Sequence, residues 1–490
     1  MENRPSNTQE QVHAEIKELA GNTLLLLPIY SAHNAAAETL IDDFLARMNM
    51  PATPASSTRK RRLVVGSFLA IAQQIKLNTH TKICIIHGRS HWTEYPAVGH
   101  TTVTAVREAL QAAGLIVKVE GTGRQYFYSD DEERSVPVNV GTVYEVSEDV
   151  LNHPRLLDTY WLQIGLKPVQ VKAFETTPQT YARKQRGGER AKLTRLQIKA
   201  KCKDSTEKFS KPYGKSKTGV ETLNAYWRQH PLALQDHREL RIFVGSCSRV
   251  FHNGSMQEGG RYYSSLTNVA KPVRYKATID GEPVVEVDIN ACQPTLFSGL
   301  MNKRMNVSEK WGDLYTEVIN NLNMPILEML EVEDTQEDQR NKMKHVVLEL
   351  IGTGNPHKSH PAKDCDYTFS DNTIFGLSEY HVYRNAILDT LPALTLLNDT
   401  DNKGSASISY HEAEIMTQTL HSLMAQDIPA YSLHDAVIVK EKDEIVAAEV
   451  YRNTFRSYIE QKTDGAVSLL PAASIEKAGM KKFRLTGSYT

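Results

Sequence analysis

The sequence predicts an α+β protein, on three patterns. Apolar residues recur at helical spacing in Leu63 to Ile75, in Val103, Val106, Ala109, Leu110 and Ala113, and again within His411 to Met424. They alternate at period two in Val285, Val287 and Ile289, and in Tyr431, Leu433, Val437 and Val439, as strands with one apolar face do. Between these regions lies a basic run that reads as a helical connector. At 490 residues the chain has room for roughly three domains of about 150 residues each. The expected divisions are an N-terminal segment and linker (1–60), a small helix-and-strand domain (61–155), a basic connector (156–235) and a large C-terminal unit (236–490), built on an antiparallel sheet with helices.

Composition narrows the function classes. With 40% hydrophobic and 23% charged residues, the chain is neither disordered, collagen-like nor membrane-spanning. No run approaches the ~18 apolar residues of a spanning helix. Leu24 to Tyr30 is too short, and lacks the cationic lead-in, for a signal peptide. The five cysteines are scattered, without a CxxC, so neither a disulfide framework nor a cysteine zinc site is expected. A reduced, cytoplasmic protein follows as the expectation. The net charge of −1 argues against a nucleic-acid partner only until it is divided. Residues 172–217 hold 14 Lys/Arg and 4 Asp/Glu, so this segment carries +10 and the remainder −11. Phe174, Tyr181, Phe209 and Tyr213 interleave with the cations, which suits a nucleic-acid backbone; Lys192, Arg195, Lys199 and Lys201 are its expected contacts.

Along the chain, Met50 to Arg62 combines Pro, Ala and Ser with four cations and reads as a linker. Leu63 to Ile75 follows as a helix and Lys82 to His87 as a short strand. The Val103–Ala113 helix takes a Thr as its cap and stops at Gly114. Leu115 to Val119 and Gly141 to Val146 read as strands around a polar loop. Helix, strand, polar loop, strand resembles the winged helix of DNA-binding regulators and replication proteins. The resemblance implies DNA contact, with Lys118, Arg124 and the Thr-rich helix start placed to meet phosphates.

Two aspartates carry the chemistry. Asp288 stands near the end of an apolar strand, and Asp435 stands within the apolar run Ala430 to Glu441, read as mid-strand. A carboxylate in such a setting is costly unless a cation or hydrogen bonds compensate it. Turn amides are one way to satisfy it and a metal is the other. Paired aspartates on two strands are what two-metal phosphoryl transfer requires, and Mg²⁺ takes such oxygens. Mn²⁺ is the expected substitute.

The last ~255 residues resemble the palm and fingers of family A DNA polymerases, which share this palm with single-subunit phage RNA polymerases. Four segments occur in the family's order. Gly259-Gly260-Arg261-Tyr262-Tyr263-Ser264-Ser265 resembles "TGRLSS", which implies that Arg261 contacts the primer-template minor groove. EVDINACQP resembles motif A, which makes Asp288 the first metal ligand. Arg340-Asn-Lys-Met-Lys344 resembles motif B; the i, i+4 spacing puts both cations on one helix face to hold a triphosphate. Leu433-His434-Asp435 resembles motif C, which makes Asp435 the second ligand and puts His434 at the primer end. Asp288 and Arg340 are 52 residues apart, close to the family's separation, and Trp311 to Ile319 resembles the segment after motif A.

The sequence also departs from the family. Ala436 follows Asp435 where the family has Glu or Ser, and Gln293 replaces the Glu that helps exclude ribose. The motif B Tyr-Gly is absent; Ile351-Gly352-Thr353-Gly354 stands there. Lys344 to Asp435 is only 91 residues, so reduced fingers are expected. The basic stretch precedes the palm where the family keeps its thumb, which implies that 156–235 is a connector or a reduced thumb gripping duplex. No proofreading carboxylate cluster precedes the palm. The expected reading is a DNA-directed DNA polymerase of a phage or mobile element, monomeric, free of membranes, and working with the element's replication proteins. Its metal set is Asp288, Ile289 and Asp435. Its nucleotide set is Arg340, Lys344 and Gln293, and Lys344 also serves catalysis. An RNA polymerase or primase on the same palm is one rival. A non-catalytic DNA-binding initiator is the other.

Overall fold

In the computed structural model the described residues are 23–26, 29–51, 53–77, 82–86, 98–120, 122–123, 125–129, 135–139, 142–164, 167–172, 210–234, 242–362, 365, 367–398, 405–478 and 480–489. They form a mixed α+β chain of two compact units. Unit 1 takes 1–167, 227–246 and 276–281; unit 2 takes 168–226, 247–275 and 282–490. These bounds differ from the sequence-based divisions because short strands cross them. Trp161–Gln163, Leu232–Leu234, Ile242–Val244 and Thr278–Ile279 belong to unit 1 and are neighbouring strands of one sheet. Strands of two or three residues are too short to show a period.

In unit 1, strands β1 (Thr23–Leu25), β2 (Lys82–Ile85), β3 (Ile116–Lys118) and β4 (Thr142–Val146) form a sheet in the order β1-β2-β4-β3. Helix α1 (Ala55–Leu77) and helix α2 (His100–Ala112) share its core, into which Phe68, Leu69, Val103, Val106 and Leu110 are buried. The expected linker is corrected here. Residues 55–62 are the first turns of α1, and Arg62 is held by Glu38 and Asp42 of the helix Ala35–Arg47. The expected Thr cap is corrected as well. Gly99 caps α2 without a side-chain bond, and Thr101 and Thr102 lie inside the first turn. Gly114 does end the helix, at φ 68°.

In unit 2, β5 (Ser248–Phe251) and β6 (Gly259–Tyr263) pair antiparallel. A second sheet holds β7 (Glu282–Ile289) between β9 (Ala436–Lys440) and β10 (Ala473–Lys477), with β8 (Ala430–Leu433) outside β9 and β11 (Met480–Leu485) outside β10. All these pairs are antiparallel. Alternation explains β7. Val285, Val287 and Ile289 are buried, whereas Glu286 and Asp288 project from the other face and are half-buried. The helices that position the site are α3 (Cys292–Leu300), α4 (Leu314–Ile319), α5 (Gln336–Thr353), α6 (Ser405–Met424) and α7 (Glu444–Lys462). A reciprocal capping box between Thr335 and Asp338 starts α5, and Gly354 ends it at φ 64°. Among the described residues no helix is long and apolar enough to cross a membrane.

Candidate active site

Asp288 is the penultimate residue of β7, and its register partners are Ala436 on β9 and Ser474 on β10. Asp435 does not sit mid-strand. His434 and Asp435 form the two-residue turn between β8 and β9, with Leu433 facing Ala436. His434 adopts φ 56°, the positive angle that tight hairpin loops require at their first position. Asp435 thus directly precedes the residue opposite Asp288, and opposite Cα atoms in such a ladder are about 5 Å apart. The second aspartate is brought to the first by a turn.

The Asp288 Oδ1 is buried and has no hydrogen-bond partner. Burial pushes this carboxyl well above the usual range; the charge of Asp435 adds to the effect, and Glu286 and Glu476 add further, against Lys344. The other carboxylates on this face are engaged. Arg274 holds Glu286 at 3.3 Å, and Lys271 and Tyr275 hold Glu476 at 2.7 and 3.0 Å. A hard divalent cation fits the remaining pair, since Mg²⁺ uses one or two carboxylates and takes its other ligands from water and phosphate. Among the described residues no group of three or more His, Cys, Asp or Glu could hold a metal by itself. Ile289, also expected in the metal set, pairs with Ala473 and buries its side chain.

Two carboxylates on α6 organise the neighbouring cations. Glu412 is 1% exposed and accepts from Arg261 Nε at 2.7 Å, Arg261 Nη2 at 2.9 Å and Gln293 Nε2 at 3.0 Å. Burial raises its carboxyl, Arg261 opposes the rise and Asp435 adds to it. Glu414 accepts from the buried Arg249 at 2.8 Å, and Arg249 Nε donates to the Gly260 carbonyl at 2.8 Å. Gly260, at φ 81°, lets β6 approach: a Cβ there would lie 2.8 Å from both the Arg249 guanidinium and the Phe251 ring. Arg261 and Gln293, two expected contacts, are therefore locked to one buried anion. Sequence reasoning missed Glu412, although it falls on the buried stripe Ile408, Glu412, Ile415, Thr419, Leu423, where a charge is conspicuous. His434 meets the Tyr263 ring edge-on at 5.8 Å, and its Nδ1 is buried without a partner. Burial first, then Arg261, lower its pKa, so the ring is neutral at pH 7. Tyr451 of α7 donates to the Asp435 carbonyl at 2.8 Å and steadies the turn.

The α5 cations divide by face. Arg340 donates to Asp313 through Nε at 3.0 Å and stacks on Tyr315 at 5.4 Å. Lys344 is exposed on the same face, and its charge reaches Asp288. Lys342, between them in sequence, is buried against Asp334 and Glu379 at 2.9 and 2.6 Å. Of the expected nucleic-acid contacts, Lys118 is exposed at the end of β3; Arg124, Lys192, Arg195, Lys199 and Lys201 lie outside the described residues.

No family model matches the sequence, and no curated protein matches it. Among solved structures the chain is similar to the POL domain of Pol1 from M. smegmatis in complex with DNA primer-template and dNTP. The identity is 11% and the TM-score 0.30, over 56% of this chain and 54% of that one. The chain therefore spans about half the length of that structure.

Proposed function

We propose that this chain is a template-dependent nucleotidyltransferase, most simply a DNA-directed DNA polymerase of a phage or mobile element, that joins a nucleotide to a primer 3′ hydroxyl. The observation that carries the reading is Asp288: a half-buried carboxylate whose Oδ1 is buried and unpartnered, one residue out of register from the hairpin aspartate Asp435. Asp288 and Asp435 would hold Mg²⁺, which when bound neutralises phosphate charge and lowers the pKa of a coordinated hydroxyl. The chain's own residues do the rest. Lys344 and Arg340 set positive charge against the triphosphate, where charge builds as the bond to the leaving group breaks. Arg261, fixed in two directions by Glu412, presents a preset guanidinium to the primer-template. Neutral His434 offers a hydrogen-bonding nitrogen to the primer end without adding charge beside the aspartates. Gln293, tied to Glu412 by its amide nitrogen, keeps its carbonyl oxygen for the sugar side.

In unit 1, the pairing order β2-β4-β3, with β2 before helix α2 and β3 and β4 after it, supports a winged-helix reading in which α2 and Lys118 face a duplex. The test is extension of a labelled primer-template with Mg²⁺, using dNTPs and NTPs, primed and unprimed. Incorporation is expected from the wild type and should fall to background in Asp288→Asn and Asp435→Asn. Normal extension by both variants would sink the assigned roles. Sequence-specific DNA binding without incorporation would favour the initiator.

A further inference from the structure

Beside the acidic pair lies a second, basic depression that the sequence motifs did not name. A cavity of about 470 Å³ is lined by Arg340 and Asn341 of α5, Thr316 of α4, and Lys481 and Arg484 of β11, with Asp313, Gln336 and Glu337 completing its rim. Three cations meet two carboxylates there. Asp313 is 7% exposed and serves two of the cations: Arg340 at 3.0 Å and Arg484 at 3.8 Å. It orients the guanidiniums without cancelling them. Partial burial of its side chain lowers the Lys481 pKa, and the neighbouring charges of Arg484 and Arg340 lower it further. Tyr315 locates this depression relative to the aspartates. Arg340 stacks on its ring, and its phenol feels the charges of Arg340, Asp313, Asp435 and Asp288. The acidic pair, Tyr315 and the basic depression thus follow one another.

We propose that Lys481 and Arg484, together with Arg340, form the distal end of a polyphosphate subsite, taking the terminal phosphates of a nucleoside triphosphate and the pyrophosphate it releases. The inference rests on the nucleotidyltransferase reading for its direction, since the α-phosphate must lie at the aspartates and the chain of phosphates must run toward positive charge. Guanidinium pairs suit planar, bidentate phosphate contacts, and a flexible ammonium beside them suits a point contact. β11 contributes both residues from almost 200 positions downstream of Asp288, which is why no local motif announces them.

The experiment measures inorganic tripolyphosphate binding to the full chain by calorimetry, with EDTA present and no primer, alongside steady-state incorporation. Lys481→Ala/Arg484→Ala is compared with wild type, and Arg484→Lys is included as a charge-keeping control. Both side chains are exposed on an outer strand, so circular dichroism should be unchanged. The double variant should bind tripolyphosphate at least about tenfold more weakly, and its nucleotide KM should rise by a similar factor with kcat nearly kept. Arg484→Lys should recover part of the loss. Unchanged tripolyphosphate affinity, or a wild type that does not bind it, overturns the proposal. So does a variant that loses only primer-template affinity, because the depression would then hold a nucleic-acid backbone. If tripolyphosphate binding depends on the pair but no nucleotide is incorporated, the subsite stands and the polymerase reading falls.

Discussion

Replacing Arg261 by Met isolates the lock between β6 and α6. Glu412 would keep only the 3.0 Å bond from Gln293 and lose bonds of 2.7 and 2.9 Å, at a site where it is 1% exposed. Removing one partner of a buried ion pair costs about 3–5 kcal/mol. The Arg261 side chain is 26% exposed and Gln293 remains, so the lower end, about 3 kcal/mol, applies at pH 8. The pH dependence has a definite sign. Without the guanidinium, burial holds the Glu412 carboxyl further above its unfolded value of about 4.3. The folded variant then binds the proton more tightly than the unfolded chain, so its stability falls as pH rises from that value through the folded one. The deficit relative to wild type should therefore shrink at pH 5. A second variant, Arg261→Met/Glu412→Gln, removes both charges and should recover to within about 1 kcal/mol of wild type. Pulse proteolysis in urea reads these differences without assuming that two units melt together. A deficit below about 1 kcal/mol at pH 8, or one that grows at pH 5, would refute the reasoning.

Two further perturbations follow. His411 donates or accepts at the Tyr458 hydroxyl over 2.7 Å, and burial, then Lys462, lowers its pKa from 6.5 to about 4. The unfolded chain takes up this proton first, so the stability the neutral ring contributes is present above pH 6.5 and is lost as pH falls toward 4. Between pH 7 and 5 the loss is about 2 kcal/mol, and His411→Gln should flatten that slope in urea midpoints; an unaltered slope would contradict it. Gly487 has no room for a methyl: a Cβ would lie 2.4 and 2.5 Å from the buried Trp311 ring and 2.8 Å from the Ala472 nitrogen. Gly487→Ala should cost about 1–3 kcal/mol, and an unshifted proteolysis midpoint would show that the packing yields.

The β7 strand was legible because its apolar residues alternate with polar ones, and the α5 helix was named only through the resemblance of the segment Arg340–Lys344 to motif B. The turn at Asp435 was not. Both arms of its hairpin are buried throughout, β8 and β9 alike, so apolar residues flank the turn on each side and period two runs through it unbroken. A hairpin with His-Asp at its tip also lacks the Asn-Gly or Gly signal that marks such loops. Glu412 was hidden for a different reason. Its helix was evident, but periodicity assigns a buried stripe without saying which partner neutralises a charge on it. That partner, Arg261, lies about 150 residues upstream.

The missing acidic neighbour of Asp435 also takes on meaning from the geometry. Ala436, on the buried strand β9, pairs with Asp288, and a longer acidic side chain there would add charge to a carboxyl already forced upward by burial and by Asp435. The site instead places a buried carboxylate on α6, at Glu412, and gives it to Arg261 and Gln293. Glu412 thereby holds one guanidinium and one amide in fixed positions beside Asp288 and Asp435. The arrangement separates two tasks: the strand-and-turn aspartates attract charge of the opposite sign, and the α6 carboxylate sets the direction of Arg261 and Gln293, the groups proposed to meet nucleic acid and sugar.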